Sequence, residues 1–237
     1  MILIPTFNEA ANVRPLHEQI RAKCGFEMLF IDDGSPDGTA DVVREVAAGD
    51  AGVHLLARDR REGLGNAYRA AYRRVIEEGR WERVFMMDAD LSHQPRHLAA
   101  LDAALDACDM VVGSRYLRGV SVLNWSIVRL NLSYAANRYI RILTGMPFTD
   151  CTSGFRAFRA DVAPLLLSSG ITAGGYSFLV ETLHAVWTAG LGIAEVPIVF
   201  VERERGSSKV SPRVFWESAA TPVRLLAGRL LSPVRRQ

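Results

Sequence analysis

The chain contains an apolar run that ends abruptly in acidic residues and glycine: Met28-Leu29-Phe30-Ile31-Asp32-Asp33-Gly34-Ser35-Pro36-Asp37-Gly38-Thr39. The apolar run predicts a short buried strand, because continuous apolar residues are typical of strands covered on both faces. The acidic, glycine-rich segment predicts a turn, and the Thr39 hydroxyl can cap a helix that begins there. A strand, a turn and a helix in succession form the repeating unit of a parallel α/β sheet.

The same alternation of apolar runs and helical periodicity continues on both sides of this stretch. Predicted strands are Met1–Thr6, Met28–Asp32, Val53–Ala57, Val84–Asp88 and Met110–Ser114, and predicted helices are Asn12–Cys24, Thr39–Ala48, Gly65–Gly79 and Pro95–Ala107. After Ser114 we expect a long helix over Leu123–Thr144, a strand ending at Arg159, two helices and a strand over Ile193–Phe200. The pattern predicts one α/β domain over residues 1–237, with a mostly parallel sheet, helices on both faces and chemistry at the carboxyl ends of the strands.

Composition excludes several classes of protein. With 237 residues, 49% of them hydrophobic and 23% charged, the chain is neither disordered nor fibrous. Its three cysteines are too few, and odd in number, for a secreted disulfide framework, which indicates buried thiols in a reducing compartment. We expect no leader segment, and no spanning helix, since the longest uncharged run, Val162–Val180, is interrupted by Pro164 and three glycines.

Charge is divided unevenly along the chain. Residues 1–202 include 20 basic and 24 acidic residues, whereas eight basic and two acidic residues follow from Arg203 onward. A basic tail on a slightly acidic body indicates an anionic partner: a phosphate-bearing substrate, a membrane surface or nucleic acid. The apolar and basic residues of the tail suit a helix on an anionic lipid surface, or a terminal helix docked on the core.

Asp88 and Asp90 follow the apolar strand that begins at Val84. In an extended backbone, residues two apart point to the same side, where two carboxylates repel unless a cation joins them. Mg²⁺ or Mn²⁺ bound by carboxylates and substrate phosphates is the usual arrangement of this kind. The alternative is a solvated acidic turn.

The aspartates of the opening stretch predict a different role. Asp32, Asp33 and Asp37 lie at another strand end, where carboxylates suit ribose hydroxyls or base donors and repel phosphate. We therefore place a nucleoside here and a diphosphate at Asp88 and Asp90.

Taken in order, the motifs of the chain resemble one enzyme family. The matching segments are Pro5-Thr6-Phe7-Asn8-Glu9, Asp32 to Thr39, Gly63-Leu64-Gly65, Asp88-Ala89-Asp90-Leu91-Ser92-His93, Gly113-Ser114-Arg115-Tyr116, Gly154-Phe155-Arg156, Glu195-Val196-Pro197-Ile198 and Gly206-Ser207-Ser208-Lys209. The set resembles the inverting family 2 glycosyltransferases, and among them the dolichyl or polyprenyl phosphate mannose synthases. The resemblance covers nearly the whole chain.

The resemblance implies a GT-A fold, a nucleoside diphosphate sugar donor, most often GDP-mannose, a divalent cation and a polyprenyl phosphate acceptor. It assigns residues 1–115 to the nucleotide sugar, 116–210 to the acceptor and 211–237 to a basic tail at the membrane surface. The donor-binding residues that it implies are Pro5, Phe7, Glu9, Ile31, Asp33, Asp37, Asp88, Ala89, Asp90, Arg203 and Lys209. Arg203 and Lys209 would lie on a mobile loop that closes on phosphates.

The implied catalytic set comprises Asp88, Asp90, Arg115 and Arg129, and the acceptor phosphate would bind Arg115, Arg129 and Ser133. Related enzymes often carry a glutamine metal ligand where this chain has Ser92, so Ser92 is the third and weaker candidate ligand. Phe7 replaces the commoner tyrosine in the nucleoside pocket. Glu181 lies near the catalytic base of members with hydroxyl acceptors, or is a first-turn acid favoured by the helix dipole.

The mechanism implied by these residues needs cations more than a base. A lipid phosphate is already ionised near neutral pH, with a second pKa of about 6, so it can attack an anomeric carbon directly. Arginine forks bind phosphate bidentately. Attack from the face opposite the leaving diphosphate would invert the anomeric configuration.

The prediction is a peripheral enzyme at the cytoplasmic face of a membrane, with a separate anchoring subunit left open and no nucleic-acid partner. Two alternatives stay within nucleotide-sugar chemistry: a transferase that uses UDP-glucose or another UDP-sugar, and a non-catalytic nucleotide-sugar-binding protein. A phosphatase with an aspartate nucleophile is the third, but no downstream lysine and acidic motif accompanies Asp88.

Overall fold

The computed structural model describes residues 1–171, 175, 177–202 and 212–231, without the side chains of 212–218 and 229–231. The strands are β1 (Ile2–Thr6), β2 (Met28–Asp32), β3 (Val53–Ala57), β4 (Arg83–Met86), β5 (Met110–Ser114), β6 (Val122–Leu123), β7 (Arg156–Arg159), β8 (Ile193–Pro197) and β9 (Phe200–Val201). The helices are α1 (Ala10–Arg21), α2 (Thr39–Gly49), α3 (Leu64–Glu78), α4 (Leu98–Ala104), α5 (Ile127–Thr144), α6 (Ala163–Ser168), α7 (Ser177–Thr188) and α8 (Pro212–Leu231).

Seven strands form one sheet in the order β3-β2-β1-β4-β7-β5-β8. All neighbouring pairs are parallel except those of β7, which runs antiparallel to both β4 and β5. The register pairs Thr6 with Asp32 and Asp32 with Ala57, so β1, β2 and β3 end at one edge. A separate two-stranded sheet is formed by β6 and β9, which run parallel.

The main sheet is buried on both faces. Ile2, Ile4 and Phe30 belong to one hydrophobic cluster, whereas Leu3 and Ile31 belong to a second cluster. Because successive strand residues point to opposite faces, this division means that helices cover both sides of the sheet. The predicted α/β class is confirmed.

Several element boundaries differ from the predictions. The helix predicted from Leu123 begins at Ile127, because Ser126 is extended and its hydroxyl accepts a hydrogen bond from the Arg129 amide at 3.3 Å. The strand predicted over Ile193–Phe200 is divided at Pro197, because its partner β5 ends at Ser114, directly opposite Pro197. Phe200, the last residue of the predicted strand, pairs with Val122 of β6 in the small sheet instead.

Two further boundaries affect the acidic pair and its neighbouring helix. Strand β4 ends at Met86, so Asp88 lies in the loop beyond it. The helix predicted over Pro95–Ala107 is a short 3₁₀ turn, Pro95–His97, followed by α4. Among the described residues, no helix combines the length and the apolar character needed to cross a bilayer.

Candidate active site

The ends of β1 and β2 are joined by hydrogen bonds among their polar residues. The Thr6 hydroxyl donates to Asp32 Oδ1 at 3.2 Å, and the Asp33 amide donates to the Thr6 carbonyl at 3.0 Å. Asp32 also accepts hydrogen bonds from the Ser35 amide at 3.0 Å and the Ser35 hydroxyl at 2.5 Å. Asp32 is buried, and these hydrogen bonds hold the turn in place. Asp33 is the next residue along the chain, at the same edge of the sheet.

Asp33 binds the segment that follows β3. Its carboxylate accepts a hydrogen bond from the Arg58 guanidinium at 2.6 Å and another from the Gly63 amide at 2.8 Å. The Arg61 guanidinium lies 4.1 Å from the centre of the Phe7 ring. The nucleoside-side candidates Asp33 and Phe7 are thus each paired with an arginine that our sequence analysis did not identify. The signal was available, because residues 58–62 directly follow the carboxyl end of a predicted strand.

Asp37 connects two helices. Its carboxylate accepts hydrogen bonds from the Ala10 amide at 3.1 Å and from the Thr39 amide at 3.1 Å, at the starts of α1 and α2. Partial burial alone would raise the pKa of Asp37, but the hydrogen bonds from the Thr39 hydroxyl and these amides outweigh burial and lower it. Glu9 is half-buried in the same turn, where its carboxylate accepts from the Asn12 amide group at 2.7 Å.

The remaining donor-side candidates line the same strand ends. Pro5 pairs with Ile31 across β1 and β2, and the Ile31 side chain is buried. Ala89 is buried between Asp88 and Asp90. Because both side chains are buried, Ile31 and Ala89 would contact a ligand at this edge mainly through backbone atoms.

Asp88 and Asp90 are held in place by different neighbours. The Asp88 amide donates to His93 Nδ1 at 3.0 Å, and the His93 ring is buried and stacked on Phe155. Because Nδ1 accepts this hydrogen bond, the neutral ring carries its proton on Nε2. The Asp88 side chain is 39% exposed, so its carboxylate is accessible at the sheet edge.

Ser92 positions the second carboxylate. Asp90 Oδ1 accepts hydrogen bonds from the Ser92 amide at 3.1 Å and the Ser92 hydroxyl at 2.5 Å. The turn between them places Leu91 at a φ of 64°, the left-handed conformation. Ser92 is buried and binds Asp90 in this way, while its role as a metal ligand stays a prediction.

Gly154 lies beside the Asp88 carboxylate. A Cβ atom at this position would lie 3.6 Å from Asp88 Oδ1 and 3.5 Å from His93 Cε1. The Leu179 side chain, in the first turn of α7, would lie 3.7 Å from the same atom. These are ordinary van der Waals distances, so Gly154 lies between Asp88 and the first turn of α7.

Arg115 forms a buried ion pair at the end of β5. Its Nε donates to Asp150 Oδ2 at 2.6 Å and one terminal nitrogen donates to Asp150 Oδ1 at 2.7 Å. Burial alone would lower the pKa of Arg115, but the charge of Asp150 outweighs burial and raises it, with a smaller contribution from Asp88. Arg115 is therefore a permanent cation, held in one place by Asp150.

Arg129 lies in the first turn of α5, next to the Trp125 ring. Its guanidinium is 4.2 Å from the Trp125 ring centre, and the Arg115 guanidinium is 5.5 Å from that ring centre. Arg129 also forms an ion pair with Glu202. The Tyr116 hydroxyl donates to Ser133 Oγ at 2.7 Å. The structure thus brings the three acceptor candidates together around Trp125 and Tyr116.

Arg156 is a buried cation that our sequence analysis did not assign to the site. Its guanidinium donates to the Cys151 carbonyl at 3.0 Å, the Leu179 carbonyl at 2.6 Å and the Thr182 hydroxyl at 3.0 Å. Burial lowers the pKa of Arg156 to about 10, so it stays charged at neutral pH. It joins the loop that carries Asp150 to α7.

Glu181 lines a cleft between α6, α7 and α8. The cleft has a volume of about 600 Å³ and is also lined by His184 and Arg224, but not by Asp88 or Asp90. Glu181 forms an ion pair with Arg224 of α8. This pairing favours a structural role for Glu181.

The two remaining donor-side candidates, Arg203 and Lys209, lie outside the described residues.

Comparisons with known proteins identify the family. A model of glycosyl transferase family 2 matches residues 1–165. The chain is 40% identical to an undecaprenyl-phosphate mannosyltransferase of Micrococcus luteus, over 94% of this chain and 92% of that protein. It is 39% identical to a polyprenol monophosphomannose synthase of Mycolicibacterium smegmatis, over 89% of this chain and 80% of that protein.

Solved structures support the fold. Glucosyl-3-phosphoglycerate synthase of Mycobacterium tuberculosis, crystallised with Mn²⁺, UDP-glucose and phosphoglyceric acid, aligns with a TM-score of 0.67 at 19% identity. The alignment covers 98% of this chain and 79% of that chain. The expected GT-A fold and the resemblance to polyprenyl phosphate mannose synthases are both confirmed. The chain therefore belongs to glycosyl transferase family 2 and is a glycosyltransferase.

Proposed function

We propose that this enzyme transfers mannose from GDP-mannose to the phosphate of a polyprenyl phosphate, with inversion at the anomeric carbon. One observation of the structure carries the proposal: the guanidinium groups of Arg115 and Arg129 lie 5.5 Å and 4.2 Å from the centre of the same Trp125 ring. The printed names of the two relatives supply the mannosyl group and the polyprenyl phosphate class.

The carboxylate oxygens of Asp88 and Asp90 are suitable ligands for a divalent cation. Both carboxylates follow the same strand, and the hydrogen bond from Ser92 orients the carboxylate of Asp90. Carboxylate oxygens are the hard ligands that Mg²⁺ and Mn²⁺ prefer. Among the described residues, no group of three or more histidine, cysteine or acidic side chains could hold a metal ion. Oxygens of the substrate diphosphate would complete the coordination, since Mg²⁺ is usually bound by one or two carboxylates plus substrate phosphates. When bound, the cation would neutralise charge on the leaving diphosphate.

The remaining catalytic contribution comes from the chain's own charges. Arg129 binds and orients the lipid phosphate, and Arg115, held rigid by Asp150, adds a fixed positive charge beside it. A phosphate oxygen attacks the anomeric carbon as the bond to the diphosphate breaks, and the electron pair leaves with the nucleotide. No general base is required, because the nucleophile is already ionised.

The test is an assay of the purified full chain with a polyprenyl phosphate, Mg²⁺ or Mn²⁺, and either GDP-mannose or UDP-glucose. We expect transfer from GDP-mannose and a β-linked product, identified by NMR of the anomeric proton. Transfer from UDP-glucose alone would favour the UDP-sugar alternative. Binding of GDP-mannose without any product would overturn the proposed donor and acceptor.

Arg129→Ala tests the acceptor site. A hydrogen bond between charged groups contributes about 1.5–3 kcal/mol, so we expect the KM for polyprenyl phosphate to rise about tenfold to a hundredfold. The KM for GDP-mannose should change little. Arg138→Ala, which removes an exposed arginine from the same helix, is the matched control. Equal effects on both substrates would move Arg129 out of the acceptor site.

We further propose that the enzyme is peripheral to the cytoplasmic face of a membrane, which it contacts through α5. Val128, Leu132 and Ile142 are 77%, 59% and 70% exposed, and they recur at helical spacing on one face. Residues 116–149 contain four arginines and no acidic residue. An apolar helix face with arginines and no carboxylate suits an anionic lipid surface.

The tail of the chain was the first candidate for this contact. Its helix α8 packs on α5, where the Tyr139 hydroxyl donates to the Ala219 carbonyl at 2.9 Å. The Arg224 ion pair with Glu181 ties α8 to α7 as well. These contacts support the docked alternative for the described part of the tail, and α5 presents the larger apolar surface.

Leu132→Gln combined with Ile142→Gln tests the α5 surface. Both side chains are exposed, so the fold should be retained while binding to phosphatidylglycerol vesicles in a sedimentation assay falls by about tenfold. Ile76→Gln, at an isoleucine on α3 that is 40% exposed, is the matched control. Undiminished sedimentation of the double variant would remove α5 from the membrane contact.

A further inference from the structure

The two arginines of the acceptor site are neutralised in different ways. The side chains of Arg115 and Asp150 are 9% and 0% exposed, and Asp150 also accepts a hydrogen bond from the Arg115 amide at 3.1 Å. The side chains of Arg129 and Glu202 are 39% and 24% exposed. Water screens the second pair, so it is far weaker than the first and can open at little cost.

Backbone hydrogen bonds deliver Glu202 to this place. Its amide donates to the Leu123 carbonyl at 3.1 Å, and Val201 of β9 pairs with Leu123 of β6. From Leu123 the chain continues directly through Trp125 into α5, which carries Arg129. The small second sheet therefore brings a carboxylate to a segment, residues 116–149, that has none of its own.

We infer that the Glu202 carboxylate occupies the place of the acceptor phosphate on Arg129, leaves when the acceptor binds and returns after transfer. The inference rests on the proposed function. A phosphate monoester presents three oxygens and about −1.5 to −2 charges, against two oxygens and one charge for a carboxylate. The incoming acceptor can therefore displace Glu202 from Arg129.

The reaction itself reverses this competition. A new bond joins a phosphate oxygen to the anomeric carbon, the bond from that carbon to the donor diphosphate breaks, and the electron pair leaves with the diphosphate. The acceptor phosphate becomes a diester with a single negative charge. Its attraction to Arg129 falls, and Glu202 can reclaim the guanidinium as product leaves. Glu202 is thus an internal competitor that weakens the binding of both acceptor and product.

Glu202→Gln tests the inference, because glutamine keeps the shape and removes the charge. We measure binding of a short-chain prenyl phosphate by calorimetry, with GDP and Mg²⁺ present, and expect it to tighten about threefold to fivefold, the range that a partly exposed ion pair allows. Inhibition by the mannosyl phosphodiester product should tighten by a similar factor. The KM for GDP-mannose should not change.

Two further variants isolate the ion pair. In an Arg129→Ala background, Glu202→Gln should have no effect on prenyl phosphate binding, since the cation for which it competes is gone. Glu45→Gln, which removes a carboxylate paired with Arg14 on the other side of the sheet, controls for the change of net charge. An equal gain in Glu45→Gln would reduce the effect to net charge and overturn the inference.

The outcomes separate the inference from the proposed function. Unchanged or weaker prenyl phosphate binding in Glu202→Gln, with normal binding in the wild type, overturns the inference alone and makes Glu202 a residue that positions Arg129. Absence of prenyl phosphate binding to the wild type overturns the proposed function and the inference with it. Circular dichroism melting curves establish that each variant is folded.

Discussion

Asp90→Asn should lower kcat for mannosyl transfer by about two to three orders of magnitude, the loss typical of removing one group that stabilises transition-state charge. Asparagine keeps an oxygen that can accept the two hydrogen bonds from Ser92, so the local turn should persist. What disappears is one negative charge of the pair that would bind the cation. The metal concentration needed for half-maximal activity should therefore rise as well.

The control for this variant is Asp41→Asn. Asp41 is an exposed acidic residue on α2. It forms an ion pair with Arg44, three residues further along the same helix. Asp41→Asn makes the same change of charge at an exposed side chain outside the acidic pair. Activity of Asp90→Asn within about threefold of the wild type, at saturating Mg²⁺ or Mn²⁺, would contradict the metal assignment, since loss of a ligand charge should cost more than that.

Asp150→Ala should produce the largest loss of stability. It would leave the Arg115 guanidinium buried without its carboxylate, and breaking a buried pair in this way costs about 3–5 kcal/mol in the free energy of unfolding. The measurement is urea denaturation followed by circular dichroism. A loss below about 1 kcal/mol would contradict the buried pair, because that is the range of exposed ion pairs.

A compensating double variant separates stability from catalysis. Arg115→Met with Asp150→Leu replaces both charges by apolar groups, which is often neutral or stabilising when the volume is kept. We expect it to recover much of the stability lost in Asp150→Ala and none of the activity. Recovery of activity together with stability would mean that Arg115 acts only as a structural residue.

Local patterns in the sequence predicted the parts of the fold that depend on neighbouring residues. The apolar runs at Met28–Asp32 and Met110–Ser114 became strands with those bounds. The acidic residues that follow β2 and β4 came to one edge of the sheet, because parallel strands end on the same side. Boundaries were less predictable where one polar side chain or the end of a partner strand set them, as at Ser126 and Pro197.

Contacts between distant residues could not be predicted from these patterns. Arg115 and Asp150 are 35 residues apart, and Arg129 and Glu202 are 73 residues apart. Each arginine was expected to bind acceptor phosphate, and nothing in the local sequence distinguishes the one with a buried partner from the one with an exposed partner. Arg58 and Arg61 follow the end of a predicted strand, but their contacts with Asp33 and Phe7 arise only when β1, β2 and β3 are aligned.

By itself the sequence determined the family, the α/β class and the residue types available at the strand ends, because these follow from composition, periodicity and short motifs. Only the tertiary structure decided which charges neutralise one another and how strongly they do so. The strength of an ion pair depends on its burial and on the packing around it, and both are set by strands and helices that are remote in sequence.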